Sequence, residues 1–287
     1  MTNFAGVLFD GVAYGALLFL ISVGLSVTMG LMNFVNLAHG AFAMVGGYAC
    51  VVLLDRFGLP FLATLPLAFL LCAALGLVLE KTLYRRLYQA SHLDQVLFSM
   101  GLTFVAVAGV TYAFGPGQQI TSLPSWLQGQ VQLGPVSVGA YRLFLIVVVA
   151  LTTFALTWLI DRTRFGAEVR AAVDHPQASA GSGIDVNRVF SLAFALGSGL
   201  AGLGGALGLD LLGLHPTYAF KYLVYFLLVV TIGGTASIKG PLVAAMLLGV
   251  LDVMGKYYVP EAGAFIIYGL MVVLMFLFPA GLVRRAA

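Results

Sequence analysis

Charge is what this sequence has least of. Of 287 residues only 14 are Lys or Arg and 11 are Asp or Glu, 9% in all, whereas an ordinary soluble domain carries about 25%. A folded soluble surface cannot be covered with so few charges, so a soluble globular protein is excluded. No run of five or more like charges occurs, which removes the basis for nucleic-acid binding. Cysteine is equally scarce. Cys50 and Cys72 both fall in apolar stretches, where a thiol is more often a small packing residue than a disulfide partner or metal ligand. Catalytic signatures are missing as well: there is no G-x-x-x-x-G-K-[ST], H-E-x-x-H, C-x-x-C or G-x-S-x-G. An intramembrane Ser198/His215 pair can be drawn, but no orienting acid accompanies it and a glycine row already explains Ser198 through packing.

Hydrophobic residues make up 61% of the chain, and they come in charge-free intervals. About 20 apolar residues cross a bilayer as a helix. Residues 10–55 have room for two crossings, broken around Asn33, Asn36 and His39. Further crossings are expected at 57–79, 95–114, 143–160, 189–209, 222–238, 240–258 and 262–283. The expectation is an all-α, polytopic integral membrane helical bundle of about 8–10 transmembrane helices with broken or re-entrant segments, in one domain over 1–287. The stretch 115–141, rich in Pro, Gly and Gln around Trp126, reads as an extramembrane loop. The first span lacks a basic leader or a small-residue cleavage site and is expected to be a retained helix.

Short loops rich in Lys and Arg stay cytoplasmic. Lys81, Arg85, Arg86, Arg162, Arg164, Arg170, Arg188, Lys239, Arg284 and Arg285 fall on one side of this alternation, and Arg56, Arg142, Lys221 and Lys256 on the other. The C-terminus is therefore expected in the cytoplasm. Before Arg56 the count gives no side, so residues 33–54 either cross or re-enter.

The spans are uneven. Gly197, Ala201 and Gly205, flanked by Ser198, Gly202 and Ala206, form small-residue rows, with G-x-x-x-G at Gly204–Gly208. Such rows let helix backbones approach closely, and tight packing is the expected role. TIGGTASIKGP, with Gly233, Gly234, Gly240 and Pro241, breaks a helix, either lining a cavity at membrane depth or making a cytoplasmic turn. Asn33, Asn36 and His39, spaced at three, would share a helix face. They are expected to point inward, either bonding a neighbouring backbone or lining a path. LAHGAF and LHPTYAF, with His39 and His215 176 residues apart, form a faint internal echo of the kind transporters carry. The hydrophilic segment 161–188 is too long for a plain connection. Asp174 or His175 can cap a helix opened by Pro176 and closed near Gly181 and Gly183, predicting a short helix parallel to the membrane, with a solvated turn as the alternative.

Four blocks in one order, NFVNLAHGAF, LEKTLYRRL, RTRFGAEVRAAVDHPQASAGSGIDVNRVFSLAFALGSGLAG and VVTIGGTASIKGP, together resemble the permease subunits of branched-chain amino-acid ABC importers. The resemblance implies a bacterial inner (plasma) membrane protein that forms a translocation path with a second related permease. Two cytoplasmic ABC ATPase subunits would drive it, and a periplasmic or extracellular binding protein would deliver the solute: a branched-chain amino acid, an amide, urea, or an aromatic or organic compound. It implies no cofactor in this chain, with ATP and Mg on the partners. The path would involve Asn33, Asn36, His39, Tyr225, Gly233 and Gly234. Tyr225 stands where many members have Lys, and Lys239 and Pro241 also depart from the common pattern. The ATPase-docking segment is similar to residues 166–185, implying a coupling loop over 162–188 with Arg164, Gly166, Arg170, His175, Pro176, Gly183 and Arg188. An ion-gradient-driven carrier or channel is the other reading, and its difficulty is that Glu80, Asp94, Asp210 and Asp252 all lie near span ends.

Overall fold

A computed structural model describes residues 2–32, 34, 36–121, 123–134, 136–234 and 237–277. Asn33, Arg284 and Arg285 lie outside the described residues. The helices are α1 (Thr2–Met32), α2 (His39–Asp55), α3 (Phe61–Thr82), α4 (His92–Phe114), α5 (Ala140–Arg162), α6 (Arg164–Asp174), α7 (Pro176–Gly181), α8 (Val186–Leu207), α9 (Leu209–Leu212), α10 (Tyr218–Gly233), α11 (Lys239–Tyr258) and α12 (Gly263–Leu277). Among the described residues, six helices (α1, α3, α4, α5, α8 and α11) are long and apolar enough to cross a membrane. Helices α2, α10 and α12 are apolar but shorter. The chain is thus a polytopic helical membrane bundle.

Local chemistry sets several boundaries. Ser91 caps α4, its hydroxyl oxygen accepting from Asp94 N at 3.2 Å, and Asp185 caps α8 through Arg188 N at 3.0 Å, the usual way to satisfy the free amides of a first turn. The expected start of the first span after Asp10 is corrected, because α1 begins at Thr2. Asp10 can lie inside a helix because Arg142 pairs with it at 2.6 Å. The loop 115–141 also carries structure that composition did not reveal. Strands β1 (Gln130–Leu133) and β2 (Val136–Gly139) form an antiparallel hairpin, Gln130 opposite Gly139.

Helices α1 and α8 form the centre, with 83% and 78% of their apolar windows buried inside the protein, against 17% in α4 and in α5. The outer helices instead expose Phe104, Val105, Phe154 and Trp158, an apolar surface suited to lipid or a partner helix. The small-residue rows of α8 do what packing requires. A Cβ on Gly197 would stand 2.7 Å from the Gly24 carbonyl oxygen of α1, and one on Gly202 would stand 2.6 Å from the Cys72 Cβ of α3. Gly205 abuts the backbone of Ala43 in α2. Lipid gives no hydrophobic drive for association, so close backbone approach supplies the dispersion contacts.

The order long helix, break, short helix, long helix occurs twice, in α1–α2–α3 and in α8–α10–α11 with α9 inside the second break. Helix α3 packs along α8, and α11 along α1. His39 opens α2 and His215 precedes α10, so the faint sequence echo falls at equivalent breaks. The first turns of α2 and α10 meet: a Cβ on Gly40 would stand 3.2 Å from Ala219 Cα.

Candidate functional site

Between α1 and α2 the chain leaves helical geometry, and Asn36 and His39 are both buried. They do not share one face of a continuous helix, as their spacing predicted, because α1 ends at Met32 and α2 begins at His39. Asn36 Oδ1 accepts from its own turn at Ala38 N (3.1 Å) and from the Tyr84 hydroxyl (2.9 Å). Leu37 N donates to Ser99 Oγ at 3.2 Å. His39 Nε2 lies 2.7 Å from the Ile21 carbonyl, which can only accept, so this nitrogen carries the hydrogen. Both side chains therefore join the break to neighbouring helices.

The other predicted path residues lie elsewhere. Tyr225, on α10, is half-buried against Tyr14 (ring centroids 6.5 Å) and Tyr222 (5.9 Å), with the Lys256 ammonium 5.8 Å from its ring. Gly233 ends α10 where a Cβ would stand 2.5 Å from Pro241 Cα, so α10 and α11 turn back on each other at glycine. Gly234 takes φ +79°, a conformation glycine adopts without strain. Its carbonyl accepts from Ser26 Oγ at 3.2 Å, tying the turn to α1.

The second break, residues 213–217, is pinned from outside. Gln119 N donates to the Leu214 carbonyl at 2.7 Å, and the Tyr222 hydroxyl to the Leu212 carbonyl at 2.9 Å.

The segment from Thr163 to Arg188 contains two helices, of which the sequence predicted only the second. Thr163 caps α6, its Oγ1 accepting from Gly166 N at 3.2 Å. Gly166 lies against the last turn of α5, where a Cβ would meet Ile160 Cα at 2.6 Å, and Arg170 donates to the Ile160 carbonyl. Val169, Ala172, Val189 and Ala193 are buried in a small apolar cluster of their own. Pro176 opens α7 and Gly183, at φ +87°, closes it. His175 occupies the capping position but makes no side-chain capping bond. Arg164, His175, Pro176 and Arg188 are exposed. One face of the segment is thus anchored and the other is open.

Sequence reasoning missed two buried acids by placing them near span ends. Glu80 is 0% exposed and Asp252 1%, while Asp94 and Asp210 are exposed. Glu80 Oε1 accepts from the Tyr88 hydroxyl (2.6 Å) and Oε2 from the Ser191 hydroxyl (2.5 Å). Arg85 donates to both oxygens at 3.3 Å, and to Ser191 Oγ at 2.7 Å. This network joins the end of α3 to the start of α8, the helix that leaves the basic segment. Asp252 pairs with Lys256 at 2.6 Å; the i,i+4 spacing of opposite charges was the available signal.

Among the described residues a hydroxyl does stand beside an imidazole, Thr217 Oγ1 at 2.7 Å from His215 Nδ1, but on an exposed turn of the second break. The architecture offers two broken helices, a cluster of Tyr14, Tyr222 and Tyr225, and an anchored basic surface segment. A family model described as branched-chain amino acid transport system / permease component matches residues 7–275. The chain is 25% identical to the high-affinity branched-chain amino acid transport system permease protein BraD of Pseudomonas aeruginosa, over 97% of this chain and 95% of that one. It is 26% identical to the probable branched-chain amino acid transport permease protein LivH of Methanocaldococcus jannaschii, over 94% and 87%. It is 25% identical to the permease protein LivM of Escherichia coli, over 92% and 67%. No solved structure matches the chain.

Proposed function

Because the chain belongs to the family of permease components of branched-chain amino acid transport systems, we propose that it forms a solute path with a second, related permease, powered by ATP bound with Mg on two separate cytoplasmic ATPase subunits. A binding protein outside the membrane would deliver the solute. Branched-chain amino acids or similar small solutes are the cargo, by similarity to BraD and LivH, and the likeness to both LivH and LivM supports pairing with a different permease.

The observation that carries the coupling half of this reading is the segment α6–α7. Its apolar face is anchored on α8 and Arg170 is tied to α5, while Arg164, His175 and Pro176, with Arg188 at the start of α8, face outward. A lever needs such an arrangement: one face fixed to the moving helix, the other free for a partner. The Glu80 network would pass its movement from α8 to α3. The basic loops support a cytoplasmic side for this segment and for the C-terminus. Asn36, His39, Tyr225, Gly233 and Gly234 belong to the breaks that alternating access would reshape, with Asn33 beside them in sequence. The abutting first turns of α2 and α10 present partial positive charge suited to a solute carboxylate.

The ion-driven reading is less supported, since the relatives are permease components of transport systems. Purification of the tagged chain in mild detergent, with mass spectrometry of what accompanies it, tests the choice. Two ATP-binding subunits and a second permease are expected. A chain that purifies alone and transports in liposomes without ATP would overturn the proposal.

A further inference from the structure

Among the described residues the bundle holds two buried acids, and only Glu80 is fully engaged by its neighbours. Asp252 Oδ2 accepts from Lys256 at 2.6 Å, while Oδ1 is buried with no hydrogen-bond partner. An unpartnered buried carboxylate oxygen is costly and calls for a donor. The Lys256 ammonium also lies 5.9 Å from the centroid of the Tyr14 ring and 5.8 Å from that of Tyr225. The two rings meet edge to face at 6.5 Å. A carboxylate flanked by aromatic faces is the chemistry that receives an ammonium group, through a charge-assisted hydrogen bond and cation–π attraction.

The present occupant reaches solvent while the acid does not. The Lys256 side chain is 46% exposed, on a flexible four-carbon stem, so its own ammonium regains water when it leaves the pair. Asp252, at 1% exposure, has no such option: stripped of its counter-charge it would be a buried lone anion. Exchange of one ammonium for another avoids that state. The open Oδ1 gives an incoming group a second acceptor that Lys256 does not use.

We propose that Asp252, Tyr14 and Tyr225 form a primary-ammonium site that the chain's own Lys256 occupies in this conformation, and that the ammonium group of the transported solute takes its place. This rests on the transport reading and adds to it a solute class, primary amines including α-amino acids, and a resting state plugged by a tethered lysine.

The test uses the full chain in lipid nanodiscs, with n-butylammonium chloride as probe and n-butanol and sodium chloride as controls. In Lys256→Ala the vacated site should take up the probe, read as a rise in unfolding temperature, with a half-saturating concentration at least tenfold below that of the wild type. Lys256→Ala combined with Asp252→Asn should show no response beyond the controls. Equal responses in the single and double variants, or none in either, would overturn the site. Should Lys256→Ala fail to fold, the wild-type chain with 13C-dimethylated lysines gives a second readout. Its four lysines are Lys81, Lys221, Lys239 and Lys256. Excess butylammonium should shift the Lys256 resonance, assigned by its loss in Lys256→Arg, and leave the other three in place; an unmoved Lys256 signal would equally overturn the site. Both measurements read occupancy rather than uptake, so their failure is separable from failure of the importer reading, which co-purification and ATP-driven uptake decide.

Discussion

Helix α3 lies along α8 as α11 lies along α1, and each seam joins a glycine-bearing central helix to an outer helix with one buried acid. The packing chemistry of the seams is the same: Gly202 meets Cys72 in one, and Gly249 meets Gly11 and Gly15 in the other. The acids differ. Glu80 is saturated by Arg85, Tyr88 and Ser191, all from within the chain. Asp252 has one half-exposed partner and one unpartnered oxygen. Shared packing with unlike polar chemistry teaches that glycine builds the frame in both places, while the acid makes a fixed joint in one and a receiving group in the other.

Five substitutions can break that contrast. Glu80→Ala should have the largest effect, about 3–5 kcal/mol of stability by denaturant unfolding in mild detergent, because it leaves a partly buried guanidinium and two hydroxyls without their acceptor. A loss below about 1 kcal/mol would show that the joint is not structural. Leucine at Gly202 or at Gly249 should each cost about 3 kcal/mol by forcing backbones apart. If one seam tolerates leucine and the other does not, the seams are not equivalent. Tyr88→Phe removes one hydrogen bond to a charged acceptor and should cost about 1.5 kcal/mol. Asp252→Asn should cost least, under about 1 kcal/mol, because Lys256 can turn to solvent. A loss there matching Glu80→Ala would erase the distinction between the two acids.

Much of the frame was readable before any coordinates. Charge-free intervals located the apolar helices, because a charge in hydrocarbon is expensive enough to punctuate a sequence. The small-residue rows of α8 announced close packing, and Pro176 with Gly183 marked α7. Other features had no one-dimensional signature. Asn36 and His39 are three apart, which spells a helix face, yet the chain between them turns because Tyr84, Ser99 and Ile21 supply partners from elsewhere in the fold. Helix α6 was obscured by its charge, since the apolar side formed by Val169 and Ala172 finds its cover in α8, against Val189 and Ala193, distant from it in the linear pattern. Proximity to a span end hid Glu80 and Asp252, because burial there depends on α8 and α1, distant in sequence.

In the proposed mechanism the chain is driven through α6–α7 by ATP hydrolysed on other subunits. Replacing residues 174–181 with a Gly-Ser linker, and separately Arg170→Glu, in the reconstituted complex tests it most directly, with ATPase association and ATP-dependent uptake of radiolabelled leucine measured side by side. At least a tenfold loss of uptake is expected in the linker variant, with weakened ATPase association and an intact, folded permease. Full ATPase association and undiminished uptake in both variants would contradict it.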